Sequence, residues 1–241
     1  MVYNRDMGTL FIVSTPIGNL QDISLRALRT LFNVGVIACE DTRRTGLLLQ
    51  KLVDEFAENK DGQKRPMLLS YYEQIESQRI PEIIEYLTEG HDVALISDAG
   101  TPLISDPGFK LVRECLQNNI KVESVPGASS VLTALTSSGL PTDKFTFVGY
   151  PPHKSGHRMT FYENIKKAQE ALNTTVILFE APHKLKKTLE ELQSVFGDIE
   201  IVLTRELTKI HEEVKRGKIS DLLNYYKKSV PKGEFVILFH L

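Results

Sequence analysis

Short apolar runs recur along this chain, and each empties into a loop rich in Pro, Gly and acidic residues. Leu10-Phe11-Ile12-Val13, Val34 to Cys39, Met67-Leu68-Leu69-Ser70-Tyr71-Tyr72, Val93-Ala94-Leu95-Ile96 and the segment through Val122 and Val125 have the length and content of buried parallel strands. Between them, apolar residues return at helical spacing. Leu25, Leu28, Leu31 and Phe32 mark one helix, and Leu47, Leu48 and Leu52 a second. Ile80, Ile83, Ile84 and Leu87 mark a third, closed by Gly90, and Phe109 to Leu116 a fourth. Strand–helix alternation of this kind predicts a parallel α/β sheet. Val53 to Arg65 is polar and reads as a surface loop.

The second half continues in the same style with weaker regularity. A helix carries Val131, Leu132 and Leu135, and strands are expected at Phe145–Val148, Val176–Phe179, Ile201–Leu203 and Phe235–Phe239. Leu185, Leu189 and Leu192 supply a further helix. On residues alone, the stiff Pro151-Pro152 pair is the natural domain boundary.

Composition narrows the class. The 241 residues are 41% hydrophobic and 25% charged, as in folded soluble proteins. No apolar run approaches the roughly 20 residues of a membrane span, and the first residues lack the apolar core of a signal peptide. Cys39 and Cys115 have no spacing for a zinc site or a disulfide framework, so a reduced cytoplasm is expected and the Asn173-Thr174-Thr175 sequon is incidental. The net charge of -2 hides an asymmetry: residues 126–241 carry 16 Lys+Arg against 13 Asp+Glu, leaving 13 against 18 for residues 1–125. A surplus of that size permits a polyanion-binding face without demanding one.

The candidate chemistry lies in the loops. Ser97-Asp98-Ala99-Gly100-Thr101-Pro102-Leu103-Ile104-Ser105-Asp106-Pro107-Gly108 follows the Val93–Ile96 strand and precedes a helix. That position is where open α/β sheets bind ligands. Ser14-Thr15-Pro16-Ile17-Gly18, Glu40-Asp41-Thr42-Arg43-Arg44 and Val125-Pro126-Gly127-Ala128-Ser129-Ser130 occupy equivalent positions. Asp41, Glu180, His183 and Glu206 sit at strand ends with Arg43 and Arg205. Each could serve proton transfer or phosphate orientation, and each could equally be a structural ion pair or a helix start. The chain has no Gly-x-Gly-x-x-Gly, no Walker loop and no nucleophile elbow. His153 and His157 are separated by Gly156 in a Pro-rich segment, which argues against a metal site.

Taken as an ordered set, these loops resemble the tetrapyrrole methylase-like (class III) S-adenosylmethionine methyltransferases. Within that superfamily they resemble the bacterial 2′-O-ribose methyltransferases that modify a cytidine of 16S rRNA. The matching stretches are Thr15 to Leu20 through Arg26-Ala27-Leu28, Glu40-Asp41-Thr42-Arg43, Ser97 to Gly108, Val125 to Ser129, Phe179-Glu180-Ala181-Pro182-His183 and Arg205-Glu206-Leu207-Thr208-Lys209. Porphyrin-modifying members carry a Gly-rich first loop where this chain has Thr15-Pro16-Ile17-Gly18, which favours the RNA branch over methylation of a tetrapyrrole or another macrocycle.

The resemblance implies two α/β domains, 1–125 and 126–241, with a mainly parallel N-terminal sheet, a mixed C-terminal sheet and the cofactor in the cleft between the domains. It implies S-adenosylmethionine held by Thr15, Pro16, Gly18, Asp98, Ala99, Gly100, Thr101, Ile104, Ser129, Ser130, Phe179, Glu180, Leu207, Thr208 and Gly233, without a metal. A homodimer acting on the small ribosomal subunit is implied as well. Lys154, His157, Arg158, Lys184, Lys186 and Lys187 are the basic residues expected to meet RNA. Relatives often continue into a small helical C-terminal segment, whereas this sequence ends at His240-Leu241; RNA affinity is then expected to come from elsewhere in the chain or from a partner. A non-catalytic S-adenosylmethionine sensor is the third reading, and the charged Glu40–Arg43 and Arg205-Glu206 clusters speak against it.

Overall fold

The computed structural model describes residues 7–56 and 65–241, in two compact units, Met1–Ser129 and Ser130–Leu241. The first unit is built on strands β1 (Thr9–Val13), β2 (Val36–Cys39), β3 (Met67–Ser70), β4 (Val93–Ile96) and β5 (Lys121–Val125), in the order β3-β2-β4-β1-β5. All of its pairings are parallel. Every residue of β2 and β4 is buried, as a sheet covered on both faces requires.

The two-residue period of the strands sorts their side chains into two cores. Leu10, Ile12, Val36, Ala38, Val93 and Leu95 face Ile83 and Leu87 of α3 (Glu76–Thr88) and Leu111 and Cys115 of α4 (Phe109–Gln117). Val13, Ile37, Cys39, Ala94 and Ile96 face Ala27 and Leu31 of α1 (Leu25–Asn33) and Leu52 of α2 (Thr42–Phe56). Helices α1 and α2 therefore cover one face, and α3 and α4 the other. Ser24 starts α1 by accepting the Ala27 amide at 3.1 Å. Helix α2 runs to Phe56, so the expected loop from Val53 begins four residues too early; residues 57–64 lie outside the described residues.

The strand order makes a switch point. From β1 the chain leaves toward β2 on one side, and from β4 it leaves toward β5 on the other, while β1 and β4 lie side by side. Loops departing in opposite directions leave a crevice at the carboxyl ends of that pair.

The second unit has strands β6 (Phe145–Phe147), β7 (Thr175–Glu180), β8 (Glu200–Arg205), β9 (Glu213–Lys218) and β10 (Phe235–Phe239), ordered β6-β7-β10-β8-β9. Only β6 and β7 are parallel, so this sheet is mixed. Helices α6 (Ser155–Leu172), α7 (Leu185–Phe196) and α8 (Ile219–Lys228) bury Tyr162, Leu189 and Leu222 against β7, β8 and β10 on one face, and α5 (Ser130–Ser138) packs on β8 and β10. Strand β9 and helices α6 and α8 have no counterpart in the sequence expectations. The polar run Glu213–Lys218 carries too few apolar residues to read as a strand, and it forms one by pairing with the buried β8.

Candidate active site

In the first unit, the carboxyl-edge loops are braced against one another across the switch point. Thr15 and Gly100 exchange backbone hydrogen bonds of 2.9 and 3.0 Å. Thr15 Oγ1 donates to the Ser97 carbonyl, Thr101 Oγ1 donates to the Ala128 carbonyl at 3.1 Å, and the Ser14 and Thr101 hydroxyls lie 3.0 Å apart. Thr15 is buried, Pro16 and Ser129 are half-buried, and Gly18 is exposed.

The Asp98 loop is strained. Gly100, Leu103, Ser105 and Gly108 all have left-handed φ, at 86°, 72°, 66° and 135°. Two of these are non-glycine residues, and such conformations cost about 1–3 kcal/mol each. Asp98, Ala99 and Ile104 are left exposed on its surface.

Beside this loop, the Glu40–Arg44 run divides its labour. Asp41 starts α2: its carboxylate accepts the Arg43 and Arg44 amides, its carbonyl accepts the Thr45 amide, and Arg43 pairs with it at 3.2 Å. The Arg43 bonds hold the Asp41 carboxyl below its usual range. The Arg43 side chain is 89% exposed. The residues that reach the Asp98 loop are Arg44, 2.7 Å from the Asp98 carboxylate, and Glu40, which accepts the Asp98 amide at 3.2 Å. Neither stands out in the sequence, where the five charged and polar residues read as one undivided run. Helical geometry makes the selection, because the residues after Asp41 turn away from one another at about 100° per residue.

Glu40, Asp98 and Asp106 place three carboxylates at this edge against Arg44. Partial burial, with Asp106 and Asp98 adding repulsion, pushes the Glu40 carboxyl up to about 7. Burial raises Asp106 as well.

In the second unit, Glu180 faces the interior. It is 2% exposed; one carboxylate oxygen accepts the Ala181 amide at 2.8 Å and the other the Thr188 hydroxyl. Arg158, also 2% exposed, donates to Thr188 and Glu191 at 2.7 Å each and lies 3.9 Å from Glu180. Two expectations are corrected together. Glu180 is enclosed by its own network and not open to a substrate hydroxyl, and Arg158 is a buried partner of carboxylates, with no side chain offered to RNA. The sequence hid this because Arg158 of α6 meets Glu180, at the end of β7, only where Thr188 and Glu191 of α7 complete the network.

Glu206 is likewise engaged. At φ 50°, it accepts Lys209 Nζ and the Glu234 amide at 3.0 Å each. A Cβ at Gly233 would lie 2.5 Å from the Glu206 side chain, so Gly233 is required by that carboxylate's close approach. Bonds from the Glu234 amide and Lys209 outweigh burial and hold the Glu206 carboxyl low. Arg205, Glu206, His211, Lys232 and Gly233 line a cavity of about 280 Å³ at this end of β8. Leu207 is buried, Thr208 is half-buried, and Phe179 stacks edge-on against Phe147 and Tyr150. His183 is exposed with no side-chain partner among the described residues, while His153 accepts Lys184 Nζ at 2.7 Å.

Two stability outcomes follow from this geometry. Glu40 titrates higher folded than its ordinary 4.5, so its contribution is present at low pH and is lost as pH rises from about 4.5 through 7. Glu40→Gln should match wild type near pH 5 and exceed it by about 2 kcal/mol above pH 8, read by urea unfolding across pH. A constant difference would contradict the raised carboxyl. Arg158→Ala leaves Glu180 and Glu191 buried without their cation and should cost about 3–5 kcal/mol; a loss below about 1 kcal/mol in the same measurement would show the network to be dispensable.

Known proteins share both this sequence and this fold. Residues 9–223 match the family of Tetrapyrrole (Corrin/Porphyrin) Methylases. The ribosomal RNA small subunit methyltransferase I of Thermotoga maritima is 44% identical over 96% of this chain and 98% of its own length. That of Streptococcus pyogenes serotype M1 is 41% identical over 97% of this chain and 77% of its own. Among solved structures, diphthine synthase superposes with a TM-score of 0.71 at 19% identity, covering 97% of this chain and 90% of that one. A cobalt precorrin-4 methyltransferase gives 0.65 at 18%, covering 95% and 94%. The structural likenesses establish the shared fold, and the sequence likenesses establish the branch: the chain belongs to the tetrapyrrole methylase family and, within it, to the ribosomal RNA small subunit methyltransferase I group.

Proposed function

We propose that this protein transfers a methyl group from S-adenosylmethionine to the ribose 2′-hydroxyl of a cytidine in 16S rRNA of the small ribosomal subunit. The observation that carries the reading is the 44% identity to a ribosomal RNA small subunit methyltransferase I over nearly the whole of both chains. Action as a cytoplasmic homodimer belongs to the same proposal and rests on the family resemblance. In keeping with it, no helix among the described residues is long and apolar enough to cross a membrane.

The residues of the Asp98 loop suit the cofactor. When bound, S-adenosylmethionine supplies an activated methyl on a positively charged sulfur. Three carboxylates against one guanidinium favour a cation at this edge, and exposed Ala99 and Ile104 offer short and apolar surface beside them. Thr15, Gly100 and Thr101 hold that surface in place. In-line transfer depends on positioning, and a prestrained, cross-braced loop spends little on reorganisation when the ligand arrives.

The basic side chains suited to RNA phosphates lie in the second unit. His153, Lys154, His157, His183, Lys186 and Lys187 are exposed there around the starts of α6 and α7, with Lys184 half-buried among them. Of the proton acceptors considered, Asp41 caps a helix, Glu180 is enclosed and Glu206 is clamped. His183 remains, and its exposed imidazole is the side chain we assign to proton acceptance. Arg205 lines the β8 cavity and is the arginine we assign to a backbone phosphate.

Methylation of 30S subunits from cells lacking the enzyme tests the reaction; labelled methyl should appear on a ribose. Label on a base, or on a macrocycle and not on 30S, would replace the reading. In the same preparation, calorimetry should show S-adenosylmethionine binding without added divalent ion, and folded Gly100→Val should bind at least tenfold more weakly. With φ at 86° and the Ile17 side chain 3.3 Å from where a Cβ would stand, residue 100 accepts no branched side chain without moving the loop. Unchanged affinity would move the cofactor elsewhere.

A second outcome concerns the basic face. Replacing Lys154, Lys184, Lys186 and Lys187 by Ala should weaken RNA binding and flatten its dependence on salt by roughly one counterion per lost phosphate contact. S-adenosylmethionine affinity should stay constant. An identical salt slope in wild type and variant would assign RNA to another surface.

A further inference from the structure

The Asp98 loop is anchored at its start by Thr15, Glu40 and Arg44, and its far end needs an anchor of its own. Gly108 closes the loop with φ 135° and opens α4, where its carbonyl accepts the Val112 amide. Its own amide points away from the helix and donates to Glu76 Oε1 at 3.2 Å. The same oxygen accepts the Tyr71 hydroxyl at 2.8 Å, and Lys110 Nζ lies 3.2 Å from Oε2. Glu76 is 4% exposed and Tyr71 fully buried.

This is an unusual place for a carboxylate. Burial alone would raise its pKa, yet the bonds from Tyr71, Lys110 and Gly108 outweigh burial and hold it low. Nothing in the packing of α3 asks for a charge at its first residue facing inward. What the charge does have is a grip on three groups from two other segments, the end of β3 and the start of α4.

Leu103 completes the arrangement. Its left-handed backbone tucks the side chain onto the core containing Leu95, and a Cβ at Gly108 would meet Leu95 at 2.7 Å and Leu103 at 3.1 Å. The Leu103 packing and the Gly108–Glu76 bond therefore hold the strained middle of the loop from below, while Ile104 next to it stays exposed on top. Strain of this kind persists only where the surroundings over-determine it.

The geometry points to Glu76 as a positioning residue for the cofactor: through Gly108 it holds the Asp98–Gly108 loop in its binding shape without touching the ligand. It rests on the reading of that loop as the S-adenosylmethionine site. The action is local, through the Gly108 hydrogen bond, so it tunes cofactor affinity and leaves RNA affinity alone.

Glu76→Gln keeps an acceptor for the Gly108 amide and should leave the S-adenosylmethionine Kd within threefold of wild type. Glu76→Leu, paired with Tyr71→Phe so that no hydroxyl is orphaned, removes the acceptor and should raise Kd at least tenfold. Tyr71→Phe alone is the control and should change Kd less than threefold. Calorimetry separates affinity from folded fraction, since a merely structural role lowers the stoichiometry and the melting temperature while the binding fraction keeps its Kd. Amide hydrogen exchange should quicken at residues 100–108 in the double variant and stay as in wild type in Glu76→Gln. An unshifted Kd with unchanged exchange in the folded double variant overturns the role of Glu76 alone. A wild type that does not bind S-adenosylmethionine overturns the cofactor reading, and the positioning role falls with it.

Discussion

The pair of backbone hydrogen bonds between Thr15 and Gly100 is the constraint from which the first unit's site is built. Strands β1 and β4 are neighbours whose chains depart in opposite directions, and a crevice between departing loops would ordinarily be open to water. Closing it with two main-chain bonds fixes Gly100 at a positive φ and sends the next residues over the sheet edge. Everything downstream is a response to that path. Thr101 finds Ala128, Asp98 finds Arg44 and Glu40, Leu103 drops onto the core, and Gly108 ends on Glu76. A loop held at so many points can keep two non-glycine residues in left-handed conformations, which a freely solvated loop would relax.

Charge is arranged on the same plan. Carboxylates gather at the edge of the parallel sheet, where burial first and repulsion from Asp106 and Asp98 second push the Glu40 carboxyl up to about 7. Exposed lysines and histidines gather around the starts of α6 and α7. Each unit thus presents its own field, acidic at the carboxyl edge of the parallel sheet and basic around the starts of α6 and α7. The overall charge of -2 conceals this, because opposite surpluses in the two halves nearly cancel.

The architecture was legible wherever burial is continuous. Val93–Ile96 and Val36–Cys39 are buried at every position, and a strand covered on both faces leaves an unbroken apolar run in the sequence. Strand β9 was illegible for the opposite reason: an edge strand with one partner needs few apolar residues, and Glu213–Lys218 has Val214 alone. The site loops were legible as places, since Pro, Gly and Asp concentrate where a chain must turn tightly at a strand end. The roles within them were not. Glu76 sits in an ordinary amphipathic helix pattern, and nothing in the linear order connects it to Gly108, 32 residues on.

The carboxylates expose the underlying difficulty. Strand-end Asp and Glu look alike in sequence whether they move protons or hold backbone, because both tasks need an ionised oxygen near exposed amides. Asp41, Glu180 and Glu206 each turn out to accept main-chain N–H groups, from Arg43, Ala181 and Glu234 respectively. Where the chain leaves a strand or begins a helix its amides lack a further backbone partner, and an unsatisfied amide costs about 1–3 kcal/mol when buried. Filling those positions with carboxylates shapes the loops by satisfying their amides. His183 differs from them: its imidazole is exposed and has no side-chain partner among the described residues.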